Sequence, residues 1–247
     1  MIPIKTQEEI EIMATGGHIL AEIMEQLKNE ARAGITTNDL NRLAESLVLK
    51  YKCKPSFKDY NGFPETLCAS VNETVVHGVP SDRVLKDGDI LSLDLGIFYN
   101  GFHSDMAITI PIGSVEPEIL RLIKVANKAL KRGIRKLRPN ARIGAIGNTI
   151  QRYVESQGFC VVRNLCGHGI GRELHEDPEI LNYGKRREGD FLKEGMVVCL
   201  EPMITNGKGD IKKSSDGFGF ETIDNSIAAH FEHTIAITHH GSRILTV

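Results

Sequence analysis

The chain has 247 residues, a net charge of -2 at neutral pH and 25% charged residues. Its length suits one large domain or two small lobes, and its charge argues against a nucleic-acid or membrane-surface binder. No apolar run is long enough to span a bilayer, and five cysteines without a CxxC pair are typical of reduced thiols in a cytoplasmic protein.

Helices are predicted in two pairs. The first begins at Thr6, whose spacing from Glu9 forms a capping box, and the second covers about 37–51. After a strand-rich middle containing DILSLD and MAITI, the run EPEILRLIKVANKALKRGIRKL predicts a third helix. A fourth ends at Gly158 and precedes the predicted strands MVVCLE and TIAIT.

This order of elements suggests an internal duplication. ARAGITTNDLNRLAES (31–46) aligns without gaps on ARIGAIGNTIQRYVES (141–156), and LKDGDILSLD (85–94) aligns on LKEGMVVCLE (192–201). In the same order, HGV at His77 aligns on HGI at His168, and Asp105 aligns on Glu232, with each acid placed before a strand. Chance similarity of short segments is the alternative explanation.

A duplication predicts two pseudo-symmetric halves, about 1–113 and 114–247, whose related positions meet at the axis. Four carboxylates and two histidines would then share one cleft: Asp94, Asp105, Glu201, Glu232, His77 and His168. Carboxylates so close repel one another, and two divalent cations remove that repulsion. Oxygen and imidazole donors favour Mn²⁺, Fe²⁺, Co²⁺ or Zn²⁺.

Other chemistries match the sequence less well. An isolated acid beside a strand is usually a surface residue, and an isolated His-Gly is as often a structural loop histidine. GHGIG lacks the spacing of a phosphate-binding loop. HEDPE lacks the second histidine of a zinc-protease helix, and no GxSxG elbow occurs. Only the joint arrangement indicates a metal site.

Five blocks of the sequence closely resemble the type I methionine aminopeptidases of metallopeptidase family M24. They are NGFPETLCASVNETVVHGVP, SLDLGIFYNGFHSDMAIT, CGHGIGRELHEDP, LEPM and FEHTIAIT. The resemblance extends from the first helix to the last strand. It implies a single catalytic domain over 1–247 with the α/β pita-bread fold, in which a central antiparallel sheet is flanked by two helix pairs. It also implies removal of the initiator methionine when the second residue is small.

Carried over by position, the resemblance assigns the metal ligands. Two divalent ions (Co, Mn, Fe or Zn) would be held by Asp94, Asp105, His168, Glu201 and Glu232. Asp105 and Glu232 would bridge the ions, Asp94 would bind one, and His168 with Glu201 would complete the other.

The same resemblance assigns the catalytic groups and the methionine pocket. Glu201 would move the proton, His175 would polarise the scissile carbonyl, and His77 would assist the peptide nitrogen. The pocket would be formed by Tyr60, Phe63 and Cys68, with Phe57, Leu174 and Phe218 at neighbouring positions. Phe218 stands where the family often has tryptophan, and Asn61 where it has histidine. Core packing is the alternative role for each aromatic residue.

Three kinds of related protein are alternatives. Prolidases and aminopeptidases P have an additional N-terminal domain, type II methionine aminopeptidases have a large helical insertion, and a metal-free binding module of this fold would have lost its ligands. The sequence favours the short bacterial type. We therefore expect a cytoplasmic monomer that acts on nascent polypeptide N-termini, associates at most transiently with the ribosome, and binds neither nucleic acid nor membrane.

Overall fold

The computed structural model describes residues 2–247, in which helices and strands alternate in groups. The helices are α1 (Gln7–Glu30), α2 (Thr37–Lys50), α3 (Pro117–Ile134) and α4 (Ile143–Ser156), and a 3-10 turn covers Tyr60–Gly62. The strands are β1 (Lys54–Pro55), β2 (Cys68–Val71), β3 (Thr74–Val76), β4 (Ile90–Tyr99), β5 (Phe102–Pro111), β6 (Cys160–Val161), β7 (Cys166–Gly169), β8 (Glu176–Leu181), β9 (Val197–Leu200), β10 (Met203–Thr205), β11 (Ile211–Lys213), β12 (Phe220–Thr222), β13 (Ala228–His230), β14 (Glu232–Thr238) and β15 (Gly241–Ile244). Within residues 2–247, no helix combines the length and apolar character needed to span a bilayer.

Nine strands form a central antiparallel sheet, and six of them follow a symmetric order. There β5 pairs with β14, β4 and β9 lie on either side, and β2 and β7 pair with β4 and β9 in turn. The other strands form two three-stranded sheets, β13-β10-β6 and β11-β12-β3. The predicted antiparallel sheet between two helix pairs is confirmed, while the halves 1–113 and 114–247 stay a prediction.

Each half of the sheet packs against its own helix pair. In the first half, Leu20 of α1 and Leu40 of α2 share an apolar cluster with Leu93 of β4. In the second, Ile150 of α4 and Val198 of β9 belong to a separate cluster that also contains α3. Burial of these apolar faces drives the helices onto the sheet.

The structure corrects the alignment of the second and fourth helices. Their N-caps, Thr36 and Arg142, form equivalent antiparallel bridges to Val84 and Phe191. The buried positions of the two helices then recur with identical spacing: Thr37, Leu40, Asn41, Ala44, Leu47 and Val48 in α2, and Ile143, Ile146, Gly147, Ile150, Tyr153 and Val154 in α4. The gap-free alignment, which placed Thr37 on Gly147, is wrong because burial and not the shared Ala-Arg-x-Gly sets the register.

The β4–β5 hairpin corrects the predicted ends of two strands. Its turn consists of Asn100 and Gly101, both at positive φ, with Tyr99 paired to Phe102. Such a two-residue Asn-Gly turn matches the twist of the flanking strands. The strands therefore extend to the turn, so that Asp94 lies within β4 and Asp105 within β5 instead of at a strand end and before a strand.

The strand register also changes which histidines correspond. Cys68 pairs with Asp94 between β2 and β4. Between β7 and β9, His168 pairs with Cys199, and extending that register brings Cys166 opposite Glu201. Segments 68–80 and 166–178 are thus equivalent, which places His77 on His175. The alignment of His77 on His168 is therefore wrong. Each segment contains a His-Gly pair, but the two pairs occupy different positions in the strand register.

Candidate active site

A single cavity of about 190 Å³ is lined by every residue that the sequence analysis assigned to the site. They are Asp94, Asp105, His168, Glu201, Glu232, His77, His175, Phe57, Tyr60, Phe63, Cys68, Leu174 and Phe218. Asn61, Val76 and His230 also line it. The fold therefore brings together residues that are far apart in the chain.

Four buried carboxylates meet at the floor of this cavity. Ala107 of β5 pairs with Asp94 on one side and with Glu232 on the other, so the two acids flank a small methyl group. Asp105 lies on the same face of β5 as Ala107, and Glu201 directly follows β9. None of the four is more than 9% exposed.

Crowding and burial raise the pKa values of these acids. Burial, with Asp105 and Glu201 nearby, holds the pKa of Asp94 and of Glu232 well above the usual range. Burial and the charge of Glu201 raise the pKa of Asp105 to about 7, and burial raises that of Glu201 to about 8. Among residues 2–247, Asp94 Oδ1 and Glu232 Oε1 have no hydrogen-bond partner. Unpartnered buried acceptors are costly, so this donor set fits a divalent cation.

His168 presents a ring nitrogen to the carboxylates. Its Nδ1 lies 2.8 Å from the backbone oxygen of Gly169, to which it donates, so Nε2 keeps its lone pair. Nε2 lies 3.7 Å from Glu201 Oε1. Burial, and next the nearby His175, lower the pKa of His168 to about 3, so the ring is neutral and suited to a metal.

Two groups of ligand atoms each lie within 4.8 Å of one another. One comprises Asp105, His168, Cys199 and Glu232, and the other Glu201, His230 and Glu232. Glu232 belongs to both, as expected of a carboxylate between two ions. Asp94 is in neither group, and burial keeps the Cys199 thiol protonated by raising its pKa well above the usual range. The remaining oxygen and imidazole donors fit Mn²⁺, Fe²⁺, Co²⁺ or Zn²⁺.

Two histidines stand at the mouth of the cleft. His175 has its Nδ1 2.8 Å from the Tyr60 hydroxyl, and its ring packs 4.3 Å from that of His168, measured between centroids. His77 is exposed, has a φ of 56°, and packs its ring 6.0 Å from that of Phe220. Both side chains line the cavity and are exposed to solvent.

An apolar wall completes the cavity. The rings of Phe63 and Phe218 pack edge to face at 5.6 Å. Cys68 is buried, and its burial raises the thiol pKa well above the usual range, so the sulfur is uncharged. Gly96 allows Phe57 to approach the sheet, because a Cβ at position 96 would lie 2.7 Å from the Phe57 ring. Such apolar and sulfur contacts suit a thioether side chain.

Sequence reasoning missed His230 and Val76. His230 lies in β13, is 1% exposed, and has its Nε2 3.5 Å from Glu201 Oε2. The pattern His-x-Glu, ending at Glu232, was the available signal. Residues two apart in an extended chain point to the same side.

Comparison with known proteins gives consistent matches over the full length of the chain. The model of metallopeptidase family M24 matches residues 11–239. The chain is 46% identical to methionine aminopeptidase 1 of Bacillus subtilis over 246 residues, covering 100% of this chain and 99% of that protein. It is 45% identical to methionine aminopeptidase of Clostridium perfringens over 247 residues, with the same coverage. The crystal structure of methionine aminopeptidase from Rickettsia prowazekii matches with a TM-score of 0.99 at 40% identity and 100% coverage of both chains.

Proposed function

Because the chain belongs to the methionine aminopeptidases of metallopeptidase family M24, we propose that it removes the initiator methionine from new polypeptides when the second residue is small, using two divalent ions. The observation that carries the proposal is the shared cavity, in which buried carboxylates and an apolar pocket lie side by side. A free N-terminus and a methionine side chain can then be bound together.

The metal ligands in this proposal are Asp94, Asp105, His168, Glu201 and Glu232. Their unpartnered oxygens and raised pKa values support binding of cations. Bound ions would supply Lewis acidity, lowering the pKa of a water and polarising the scissile carbonyl. Co, Mn, Fe and Zn all suit these donors.

The chain's own groups would position the peptide and move the proton. Glu201, at the cavity floor, takes the proton of the attacking water and passes it to the leaving amine. His175 donates a hydrogen bond to the carbonyl as charge develops there. Tyr60 supports this role because its hydroxyl lies 2.8 Å from Nδ1, and a hydroxyl that donates there leaves the ring proton on Nε2. His77 contacts the peptide nitrogen beside the scissile bond.

Substrate choice follows from the apolar wall. Tyr60, Phe63 and Cys68 enclose a long unbranched side chain, and each methylene that a shorter side chain lacks forfeits about 0.8 kcal/mol of burial. We propose, from the resemblance to the family, that the cleft beside His77 and His175 accepts only a small second residue. In the cell, we propose that the enzyme is a cytoplasmic monomer that meets emerging N-termini with only transient ribosome association.

Four peptides test this function with the metal-loaded chain. Met-Ala-Ser should be hydrolysed well and Met-Lys-Ser hardly at all, because lysine does not fit the second position. N-acetyl-Met-Ala-Ser should resist hydrolysis because its amine is blocked. Preference for Arg-Pro-Pro over Met-Ala-Ser would instead identify a proline-directed peptidase and overturn the proposal.

A further inference from the structure

His230 has no role in the mechanism above, yet its ring lies at the floor of the cleft. Its Nε2 is 3.5 Å from Glu201 Oε2 and 3.9 Å from Glu232 Oε2. Among residues 2–247, neither ring nitrogen has a hydrogen-bond partner, although the side chain is almost completely buried. Buried polar groups normally have a partner, so this arrangement requires an explanation.

The spacing of the three side chains suits a shared cation. Nε2 of an imidazole and carboxylate oxygens bind such ions at about 2.1 Å, so two ligand atoms on one ion lie roughly 3.0 to 4.2 Å apart, depending on the angle between them. The two distances from His230 Nε2 fall within that range.

The backbone of His230 is fixed before any ion binds. Thr109 Oγ1 accepts a hydrogen bond from the His230 N–H at 2.8 Å and donates one to the His230 carbonyl at 2.7 Å. Ser92 Oγ lies 2.8 Å from the same Thr109 oxygen, and His230 also pairs with Met203 of β10. A ligand held by such supporting contacts is preorganised.

We propose that His230 is a sixth protein ligand of the metal centre and binds one ion together with Glu201 and Glu232. The proposal rests on the proposed metal-dependent function, but it concerns ion binding and not hydrolysis. It gives the ion beside Glu201 a second imidazole ligand, in addition to His168, that the family resemblance does not assign. Imidazole donors favour Fe²⁺, Co²⁺ or Zn²⁺ over Mn²⁺ at that position.

Co²⁺ binding to the chelator-treated full chain tests the assignment. Calorimetric titration gives the number and affinity of the ions, and visible absorption reports the ligand field of bound Co²⁺. The test variant is His230→Ala. The matched control is His233→Ala. His233 is a half-buried histidine next to Glu232, but its Nδ1 already has a partner, Thr246 Oγ1, at 2.9 Å.

We expect wild type and His233→Ala to bind two Co²⁺ ions with the same visible spectrum. His230→Ala should bind one of the ions at least 10-fold more weakly, with an altered spectrum, since even indirect partners of metal ligands contribute about 10- to 100-fold. Two affinities within 2-fold of wild type and an unchanged spectrum would overturn the proposal.

Should His230→Ala fail to fold, Co²⁺-loaded wild type provides an independent measurement. Its proton NMR spectrum should contain two hyperfine-shifted ring N–H signals, from His168 and His230, whereas a single signal would refute the sixth ligand. Failure here is distinguishable from failure of the proposed function. A chain with both signals that cleaves none of the four peptides would contradict only the function, and a chain with one signal that cleaves Met-Ala-Ser would contradict only the ligand.

Discussion

Segments 68–80 and 166–178, called here the first and second walls, both line the cleft and occupy matching positions in the strand register. CASVNETVVHGVP and CGHGIGRELHEDP carry cysteine, histidine and proline at matching positions. They differ where Ser70 in the first corresponds to His168 in the second. The Ser70 hydroxyl accepts a hydrogen bond from the Gly78 N–H at 3.0 Å, whereas the His168 ring faces Glu201. The two segments therefore share a cysteine and a histidine at matching positions, while the difference between Ser70 and His168 gives only the second segment a ring nitrogen that faces a carboxylate.

His175 and His77 occupy matching positions, but they differ in the contacts that hold them in place. His175 is bonded to Tyr60, a residue from the first half of the chain, while His77 lies on backbone at positive φ. A hydrogen bond to a hydroxyl limits the orientations that the imidazole ring can adopt. We infer that the second wall carries the larger share of carbonyl recognition.

The largest effect is expected when His168 of the second wall is replaced by serine, the residue at the matching position of the first wall. His168→Ser should lower the affinity for one ion at least about 10²-fold and kcat/KM at least about 10³-fold, because a metal-stabilised charge contributes several kcal/mol. Metal analysis after dialysis and hydrolysis of Met-Ala-Ser measure both. If the variant keeps two ions and normal hydrolysis, His168 is not a ligand.

Glu201 is the acid that the proposed mechanism requires to move a proton. Glu201→Gln keeps the size of the side chain but cannot take up a proton. We expect kcat to fall at least about 10²-fold, the lower range for an acid-base residue, with an unchanged circular dichroism spectrum. Near-normal turnover would remove Glu201 from the proton path.

The sequence was sufficient for the features with a local signal. The capping box of α1 is confirmed, with Thr6 N–H donating to Glu9 at 2.8 Å and Glu9 N–H donating to Thr6 at 3.2 Å. Gly158 follows the end of α4 at a φ of 79°, as a helix stop requires. The family resemblance and the pita-bread fold are likewise confirmed by the full-length matches.

What sequence reasoning missed depended on pairing between distant strands. The run DILSLD by itself places Asp94 at a strand end, whereas the Asn-Gly turn after Tyr99 carries β4 five residues further. The repeat was misaligned at His168 because letter matches ignore which residues pair across the sheet. His230 was missed because its relation to Glu201 exists only after β13 has folded beside the cleft.

His175 and His77 can be compared by the effect of their removal on kcat. His175→Ala should lower kcat about 10²-fold, the effect of losing one oxyanion donor, whereas His77→Ala should lower it roughly 10-fold, the lesser effect expected of a group off the developing charge. Steady-state kinetics with Met-Ala-Ser separate kcat from KM for both. Equal losses would contradict the greater role inferred for the second wall.

Without metal ions, the stability of the folded chain should depend on pH through the crowded acids. Above about pH 6.5, the folded chain keeps protons on Asp105 and Glu201, with pKa values of about 7 and 8, that the unfolded chain has released. Folding then takes up protons, so stability falls as pH rises, by about 1 kcal/mol per pH unit for each carboxyl until its folded pKa is passed.

The lowered pKa values of His168 and His230 act in the opposite direction, but only below about pH 6.5, where unfolded histidine becomes protonated. Thermal melts of chelated protein, followed by circular dichroism, should therefore show Tm decreasing from pH 6.5 to 8.5. The metal-loaded protein should show a much smaller decrease. Identical pH profiles for both forms would mean that the acids do not share a cation.

The smallest effect on activity is expected for Ser70, the residue of the first wall that corresponds to His168. Ser70→Ala removes the acceptor for the buried Gly78 N–H and should destabilise the fold by about 1–3 kcal/mol, or roughly 2–4 °C of Tm per kcal/mol for a chain of this size. Ser81→Ala is the control, because Ser81 is exposed and its hydroxyl bonds Arg83 N–H at 3.3 Å; such a surface change should stay within about 0.5 kcal/mol. Both variants should keep two ions and a kcat within about 3-fold of wild type, because neither hydroxyl belongs to the metal centre. Loss of an ion from Ser70→Ala would show that the first wall also holds metal, and the division between the two walls would then be wrong.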